Sequence, residues 1–363
     1  MKKRKLKSSV KFALIILIGI VLCMGGFIFK KEILDKKKPE TKKETKKEEK
    51  IKYSSPVLKL KGRDPYKVVV NGVYEEYGVT VTDEYDTDLE SKVKIENKID
   101  ISKSGDYVVK YSVTNSKGAT GTIERKVSVI DVTEPDTDGI AVFMYHYFFD
   151  DTAGETGPDS NHLEKSLFEE QLKYLSENDY YFPNFKELRK YVDGELTLPE
   201  KSCVITMDDG HADNYTIAYP LAVKYKVPIT MFVVTDWTDV TQDLQQEMFN
   251  TGYVYFMSHT DQMHEGTLIT AIDYETGVND LKTSASKLGK GKELIYENEF
   301  NGEALAYPTG ANNDNSYPIV RDAGFKLAFT VDYGHVHPGD DPFTLPRVRI
   351  SQGNDLDYFK GGL

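Results

Sequence analysis

Hydrophobic and polar positions divide the chain into stretches of different character. Phe12 to Phe29 is an 18-residue run without a charge, behind the basic segment 2–11. At a helical rise of about 1.5 Å per residue, such a run nearly crosses a bilayer core of roughly 30 Å. It ends Gly25-Gly26-Phe27-Ile28-Phe29-Lys30 without a small-x-small cleavage site, and Leu22 precedes Cys23 where a lipoprotein needs a small residue. The expectation is an uncleaved transmembrane helix over 12–29, with residues 1–11 as a cytoplasmic tail. Residues 30–55 are dominated by Lys and Glu and read as a solvated stalk.

From 56 to 131 the period changes to two. Tyr107, Val109, Tyr111 and Val113 share one face of a strand, Thr122–Val129 supplies its partner, and Asn115-Ser116-Lys117-Gly118 punctuates the turn. Several short strands in this length predict a small all-β sandwich. Residues 132–138 read as a linker. The remainder, 139–363, alternates apolar strands with amphipathic helices. The strands are expected at Ile140–Tyr145, Ser202–Met207, Pro228–Thr235, Tyr253–Ser258, Ala304–Tyr307 and Leu327–Val331. The helices are expected at Leu163–Glu177, Asn214–Tyr225 (with Pro220 as a kink), Gly277–Leu288 and Ser316–Ala323. This α/β alternation predicts a parallel sheet or barrel, with its chemistry at the C-terminal ends of the strands.

Charge narrows the partners. The 363 residues carry a formal net charge of -12, but residues 1–50 hold 16 basic and 6 acidic side chains, leaving 30 basic and 52 acidic for the rest. An acidic body repels a phosphate backbone, which argues against nucleic acid and leaves neutral or cationic substrates. The two cysteines are Cys23, in the apolar run, and Cys203, alone downstream. They form neither a disulfide framework nor a thiolate cage, so a metal must rely on His, Asp or Glu.

Three expected strand ends carry such groups. Ser202–Met207 runs into Asp208-Asp209-Gly210, and adjacent carboxylates at the end of a buried strand are costly unless paired or metal-bound. Tyr253–Ser258 ends in His259-Thr260-Asp261-Gln262-Met263-His264. A spacing of five suits a loop curling round an ion better than one face of a helix. Asp209, His259 and His264 then form a two-His, one-carboxylate site with open positions. At the third end, Pro308-Thr309-Gly310 reads either as a plain turn or as one that aims a backbone N–H at a developing oxyanion.

Together, Thr206-Met207-Asp208-Asp209-Gly210, Ser258-His259-Thr260 with His264, Tyr307–Gly310 and Met144-Tyr145-His146 resemble the motifs of the polysaccharide deacetylases, the NodB-homology carbohydrate esterases. The resemblance covers most of 139–363. Ser104-Gly105-Asp106-Tyr107 and the turn before Val127-Ser128-Val129-Ile130 make 56–131 resemble bacterial immunoglobulin-like surface domains, read as a spacer ahead of a glycan-binding module. The family resemblance implies a distorted (β/α) barrel holding a divalent metal, zinc first, on Asp209, His259 and His264. It implies Asp208 as general base and the Thr309 N–H at the oxyanion, with His146, Tyr307 and Pro308 near the substrate. Two departures stand out. The Tyr307–Gly310 motif lacks the family's Arg. The late Leu-x-x-His motif is replaced by Leu345-Pro346-Arg347-Val348-Arg349, leaving His335 and His337 as nearby substitutes.

The expected function is metal-dependent N-deacetylation of N-acetylglucosamine residues in an envelope glycan, by a single-pass cell-membrane protein with its barrel outside. Peptidoglycan comes first by proximity. Poly-β-1,6-N-acetylglucosamine is next, favoured by the His spacing and the Tyr-Pro-x-Gly form. A catalytically weak glycan-binding surface protein and an O-deacetylase are the rivals.

Overall fold

Residues 52–238, 240–265, 268–289 and 303–363 are described by the computed structural model. The expected anchor over 12–29 lies outside them, as does most of the stalk. Among the described residues no helix is long and apolar enough to cross a membrane.

Alternation builds the first unit as expected. Gly105–Thr114 and Thr120–Ile130 pair antiparallel, from Gly105 opposite Val129 to Thr114 opposite Thr120. Val109, Tyr111 and Val113 are buried, while Lys110 between them is exposed. The Asn115 side chain accepts hydrogen bonds from the backbone N–H groups of Lys117 and Ala119, and this Asx-type turn joins the strands. Tyr66–Val69 and Lys94–Glu96 complete a four-stranded sheet, and Val57–Leu60 with Val79–Thr82 forms a second sheet.

The second unit is a closed, all-parallel barrel of seven strands: β1 (Ala141–Tyr145), β2 (Cys203–Met207), β3 (Ile229–Val233), β4 (Val254–Ser258), β5 (Ala304–Ala306), β6 (Leu327–Tyr333) and β7 (Leu345–Arg349). Neighbours follow chain order, and β7 closes on β1, with Val348 beside Phe143. Every position of β1 to β4 is buried, as strands covered on both faces require. The six expected strands are present. β7 was not expected, because Pro346 interrupts its pattern and lacks the N–H a ladder uses. The helices Phe185–Val192 and Gln242–Phe249 also escaped the periodicity, although each is announced by a cap. Asn184 and Glu187 form a capping box, and the Thr241 side chain accepts from Leu244 N–H. Pro220 does not kink a helix. It sits in the first turn of Tyr219–Tyr225, where its missing N–H costs nothing, after a wider turn over Asn214–Ala218.

The two units pack directly on one another. Gly62 N–H donates to the Asn250 carbonyl at 2.6 Å, and a Cβ on Gly252 (φ +77°) would meet the Arg63 backbone nitrogen at 2.6 Å. Only glycine permits this approach. The Tyr77 and Tyr255 hydroxyls lie 2.8 Å apart, and Glu187 of the barrel unit accepts from Val73 N–H at 3.0 Å. One apolar core runs through both units, from Tyr66 and Val127 to Phe232 and Phe329.

Candidate metal centre and active site

The site is assembled from backbone turns at strand ends. Just past β2, β4 and β5, the non-glycine residues Asp209 (φ +76°), Thr260 (φ +73°) and Thr309 (φ +55°) take left-handed conformations. Each costs on the order of 1–3 kcal/mol and persists only where its surroundings hold it. At Asp209 the turn sends two consecutive carboxylates to different partners. Gly210 follows at φ +75°, where a Cβ would strike the Val233 side chain at 2.5 Å.

Asp209 faces the two histidines. Its Oδ1 lies 3.0 Å from His264 Nε2 and 3.4 Å from His259 Nε2. Burial alone would raise this carboxyl, but the hydrogen bonds from His259 and His264 hold it far below the ordinary carboxylate range. The other oxygen, Oδ2, accepts a short hydrogen bond from the Tyr147 hydroxyl. The ligand atoms of Asp209, His259 and His264 all lie within 4.8 Å of one another. His259 Nδ1 is 2.8 Å from the Ala306 carbonyl, which can only accept, so Nδ1 carries a proton and Nε2 is the ring atom turned to the centre, where it would bind a metal on giving up its own proton. Two imidazole nitrogens and one carboxylate, oriented this way, fit a divalent transition metal.

The loop between the histidines is pinned from below. Asp280, on the helix Tyr274–Gly289, accepts from the backbone N–H groups of Asp261 (2.9 Å) and Gln262 (2.7 Å). Ser258 Oγ accepts from Thr260 N–H at 3.0 Å and meets Ser284 Oγ at 2.7 Å. Trp237 stands at the rim, 47 % exposed, with its ring centroid 5.1 Å from that of His264.

Asp208 faces Arg347 of β7. Arg347 Nη1 and Nη2 each donate to one Asp208 oxygen at 2.7 Å, and Nε donates to the Thr330 carbonyl at 2.9 Å. Both side chains are almost fully buried. Burial pushes the Asp208 carboxyl up, but the Arg347 guanidinium and then His259 outweigh it and hold the group below its ordinary value. The result is a desolvated carboxylate next in sequence to Asp209 of the candidate metal-binding group. The late stretch without a histidine therefore carries the cation that the third motif lacks.

The other expected residues are placed unevenly. Thr309 is exposed at the strand end, with Pro308 buried beneath it. Tyr307 is fully buried in this structure, and its side chain packs with Met263, Leu305 and Ile319. His146 is half-buried, and its Nδ1 has no hydrogen-bond partner among the described residues. His335 and His337 are far from this chemistry. His335 Nδ1 contacts the Asp138 carbonyl, and the His337 ring and the His335 Cβ crowd Gly139, before the start of β1 rather than after its end. Tyr147, Arg347 and Asp280 were missed. Only Tyr147 had a signal, its position next to His146.

The profile of the polysaccharide deacetylase family matches residues 195–328, and that of the bacterial surface protein Ig-like domain matches 58–129. The poly-β-1,6-N-acetyl-D-glucosamine N-deacetylase of Staphylococcus aureus is 30% identical over 204 residues, covering 52% of this chain and 68% of that protein. Its Staphylococcus epidermidis counterpart is 30% identical over 198 residues, covering 51% and 66%. Among solved structures, a Streptococcus pyogenes deacetylase in complex with acetate superposes with a TM-score of 0.53 at 22% identity, covering 62% of this chain and 99% of its own. A polysaccharide deacetylase from Bacillus cereus superposes with a TM-score of 0.51 at 20% identity, covering 85% and 99%. The structures speak for the barrel and the sequence relatives for its lineage: the chain belongs to the polysaccharide deacetylase family, and it is a hydrolase.

Proposed function

We propose that this protein removes acetyl groups from N-acetylglucosamine residues of a cell-envelope polysaccharide, with poly-β-1,6-N-acetylglucosamine as first substrate. The observation that carries the reading is Asp208: a buried carboxylate, kept ionised by Arg347, adjoins the donor set of Asp209, His259 and His264. A purely binding protein has no use for a base in that position. The choice of polymer is supported by the staphylococcal relatives, and it moves peptidoglycan, expected first from the sequence, to second place.

A divalent ion on Asp209, His259 and His264, zinc first, supplies Lewis acidity toward the acyl oxygen and lowers the pKa of water. The chain's own residues do the rest. Asp208 takes the proton from the attacking water as general base. Arg347 keeps that carboxylate charged and, by holding both of its oxygens, fixes its plane. Thr309, exposed at the β5 end, is the remaining candidate to face the reacting oxygen. The amide C–N bond then breaks, the proton held on Asp208 passes to the departing nitrogen, and acetate and a free amine result.

Acetate release from purified poly-β-1,6-N-acetylglucosamine and from peptidoglycan, with and without chelator, tests the reading. Chelator-sensitive release from the first polymer is expected. Release from neither polymer by metal-loaded protein overturns it. Asp208→Asn should keep its metal and lose turnover, and surviving turnover would remove Asp208 from its role.

The uncharged run over 12–29 behind a basic segment supports a membrane-held protein with its barrel outside the cell. Detergent, but not high salt, should release it from membranes. Release by salt alone contradicts the anchor.

A further inference from the structure

We propose that a cleft between the immunoglobulin-like unit and the barrel is a second glycan site, which holds an N-acetylated segment of the polymer while the strand-end site works on another. The inference rests on the deacetylase reading above. The cleft has a volume of about 240 Å³ and takes side chains from both units. That is below the roughly 300–1,000 Å³ of drug-sized pockets, so it has room for one or two sugar rings.

Its chemistry is that of a sugar platform. Tyr180, Phe182, Tyr225 and Tyr253 all line it, and all are half-buried, leaving ring surface available. The C–H face of a β-linked pyranose is apolar and its rim is hydroxylated. Such a ring can lie on aromatic faces while its edges reach polar groups, which tyrosine is built to satisfy. Arg63, on the cleft wall, has its guanidinium 4.5 Å over the Tyr66 ring and donates from Nη2 to the Tyr255 hydroxyl at 3.2 Å, which fixes this wall of the cleft.

Charge selects the form of the polymer. Arg63, Lys67 and Lys226 line the cleft against Asp64 and Asp179, and Lys67 is already paired with Asp179 at 2.7 Å. In a chain whose folded part is strongly acidic, this cleft is weakly cationic. It accommodates neutral acetamide-bearing rings and disfavours the ammonium groups of the deacetylated product. Unprocessed strands are held and processed ones released.

The position makes the site independent of the metal centre. Lys226 precedes β3 and Tyr253 precedes β4, whereas Asp208 and His259 follow strand ends. A five-residue strand at about 3.3 Å per residue separates the two by roughly 15–20 Å. That line runs along the packed barrel wall, so a strand must pass outside the helices to reach both ends; a polymer long enough to do so can engage both sites, and engagement at one raises its effective concentration at the other.

The test uses the full-length protein. Ser176→Trp fills the cleft from an exposed position on its wall, and the Tyr180→Ala, Tyr253→Ala double variant removes two platforms. Both are expected to raise KM for poly-β-1,6-N-acetylglucosamine about tenfold, with kcat unchanged and turnover of a disaccharide too short to span both sites unaffected. An unchanged polymer KM in folded Ser176→Trp protein overturns the proposal. Retention on immobilised polymer, measured in an Asp208→Asn background, reads the cleft without turnover. Should the wild type release no acetate, the deacetylase reading fails for this polymer. Loss of retention on adding Ser176→Trp still supports the cleft, and unchanged retention sinks it. Equal retention on fully de-N-acetylated polymer also overturns it, because the charge argument then fails.

Discussion

Arg347 grips Asp208 through two parallel contacts of 2.7 Å, although 139 residues separate them in the chain. Barrel closure makes the pair possible, since the strand bearing Arg347 packs beside β1, which in turn pairs with the strand leading into Asp208. The guanidinium compensates the burial of the carboxylate and keeps it a base.

Arg347→Met should therefore damage both stability and rate. Removing one partner of a buried ion pair costs about 3–5 kcal/mol. With the cation gone, the Asp208 carboxyl rises, so the acidic limb of the pH–rate profile should move to higher pH. Arg347→Lys should recover part of the stability, because an ammonium cannot reproduce the bidentate fork. Denaturant melts and kcat/KM against pH check both. An acidic limb that stays in place would show that Arg347 does not set the base.

Tyr147→Phe should weaken metal binding by about 10–100-fold with little loss of stability, since the hydroxyl orients the Asp209 carboxylate from behind. Trp237 is the chain's single tryptophan and stands against His264, so its fluorescence can report the zinc titration. Equal affinity in the variant and the wild type would contradict this role.

Asp280→Ala should loosen the segment between the histidines by removing the acceptor of two backbone N–H groups. Expected is a stability loss of about 1–3 kcal/mol together with weaker zinc binding. Asp280→Asn, which can restore only one acceptor, should fall between the two. Thermal melts with and without zinc separate the effects, and a variant that loses neither would remove Asp280 from the support of the site.

The interface between the units should carry a pH dependence of stability. Burial pushes the Glu187 carboxyl up to about 7, despite hydrogen bonds from Val73 N–H, the Tyr181 hydroxyl and Asn184 N–H. Burial, then Glu75, likewise raises Glu303 to about 7. A raised folded-state value means that the native chain holds protons the unfolded chain has released. The stability these groups contribute is complete below the ordinary Glu value and is lost as pH climbs to about 7. Glu187→Gln should flatten that decline, whatever its effect on absolute stability, and Glu303 should retain the remainder. Melting temperature across pH 4 to 8 is the measurement. An unaltered slope would mean that Glu187 is ionised throughout.

The convergence of Asp209, His259 and His264 was legible in the sequence because each lies a few residues past an apolar run, and a strand end is where polar side chains of a parallel barrel converge. Arg347 was not, because its partner is chosen by barrel closure and Pro346 hides the strand that carries it. Asp280 looks like any acid on an amphipathic helix, and nothing local shows that its carboxylate caps a loop 18 residues upstream. Tyr307 stands at a strand end, but its side chain packs into the layer between the strand and the helices Tyr274–Gly289 and Ser316–Asp322, while the exposed position falls to Thr309.

The left-handed turns have one more consequence. Because Asp208, Asp209 and His259 hang from the scaffold's own backbone at its fixed edge, the parts of the crossovers that carry none of Tyr147, His264, Asp280 and Ser284 can lengthen, shorten or be exchanged without disturbing the bond-breaking machinery. Preference for one polymer over another can then drift on a separate evolutionary clock from the reaction itself.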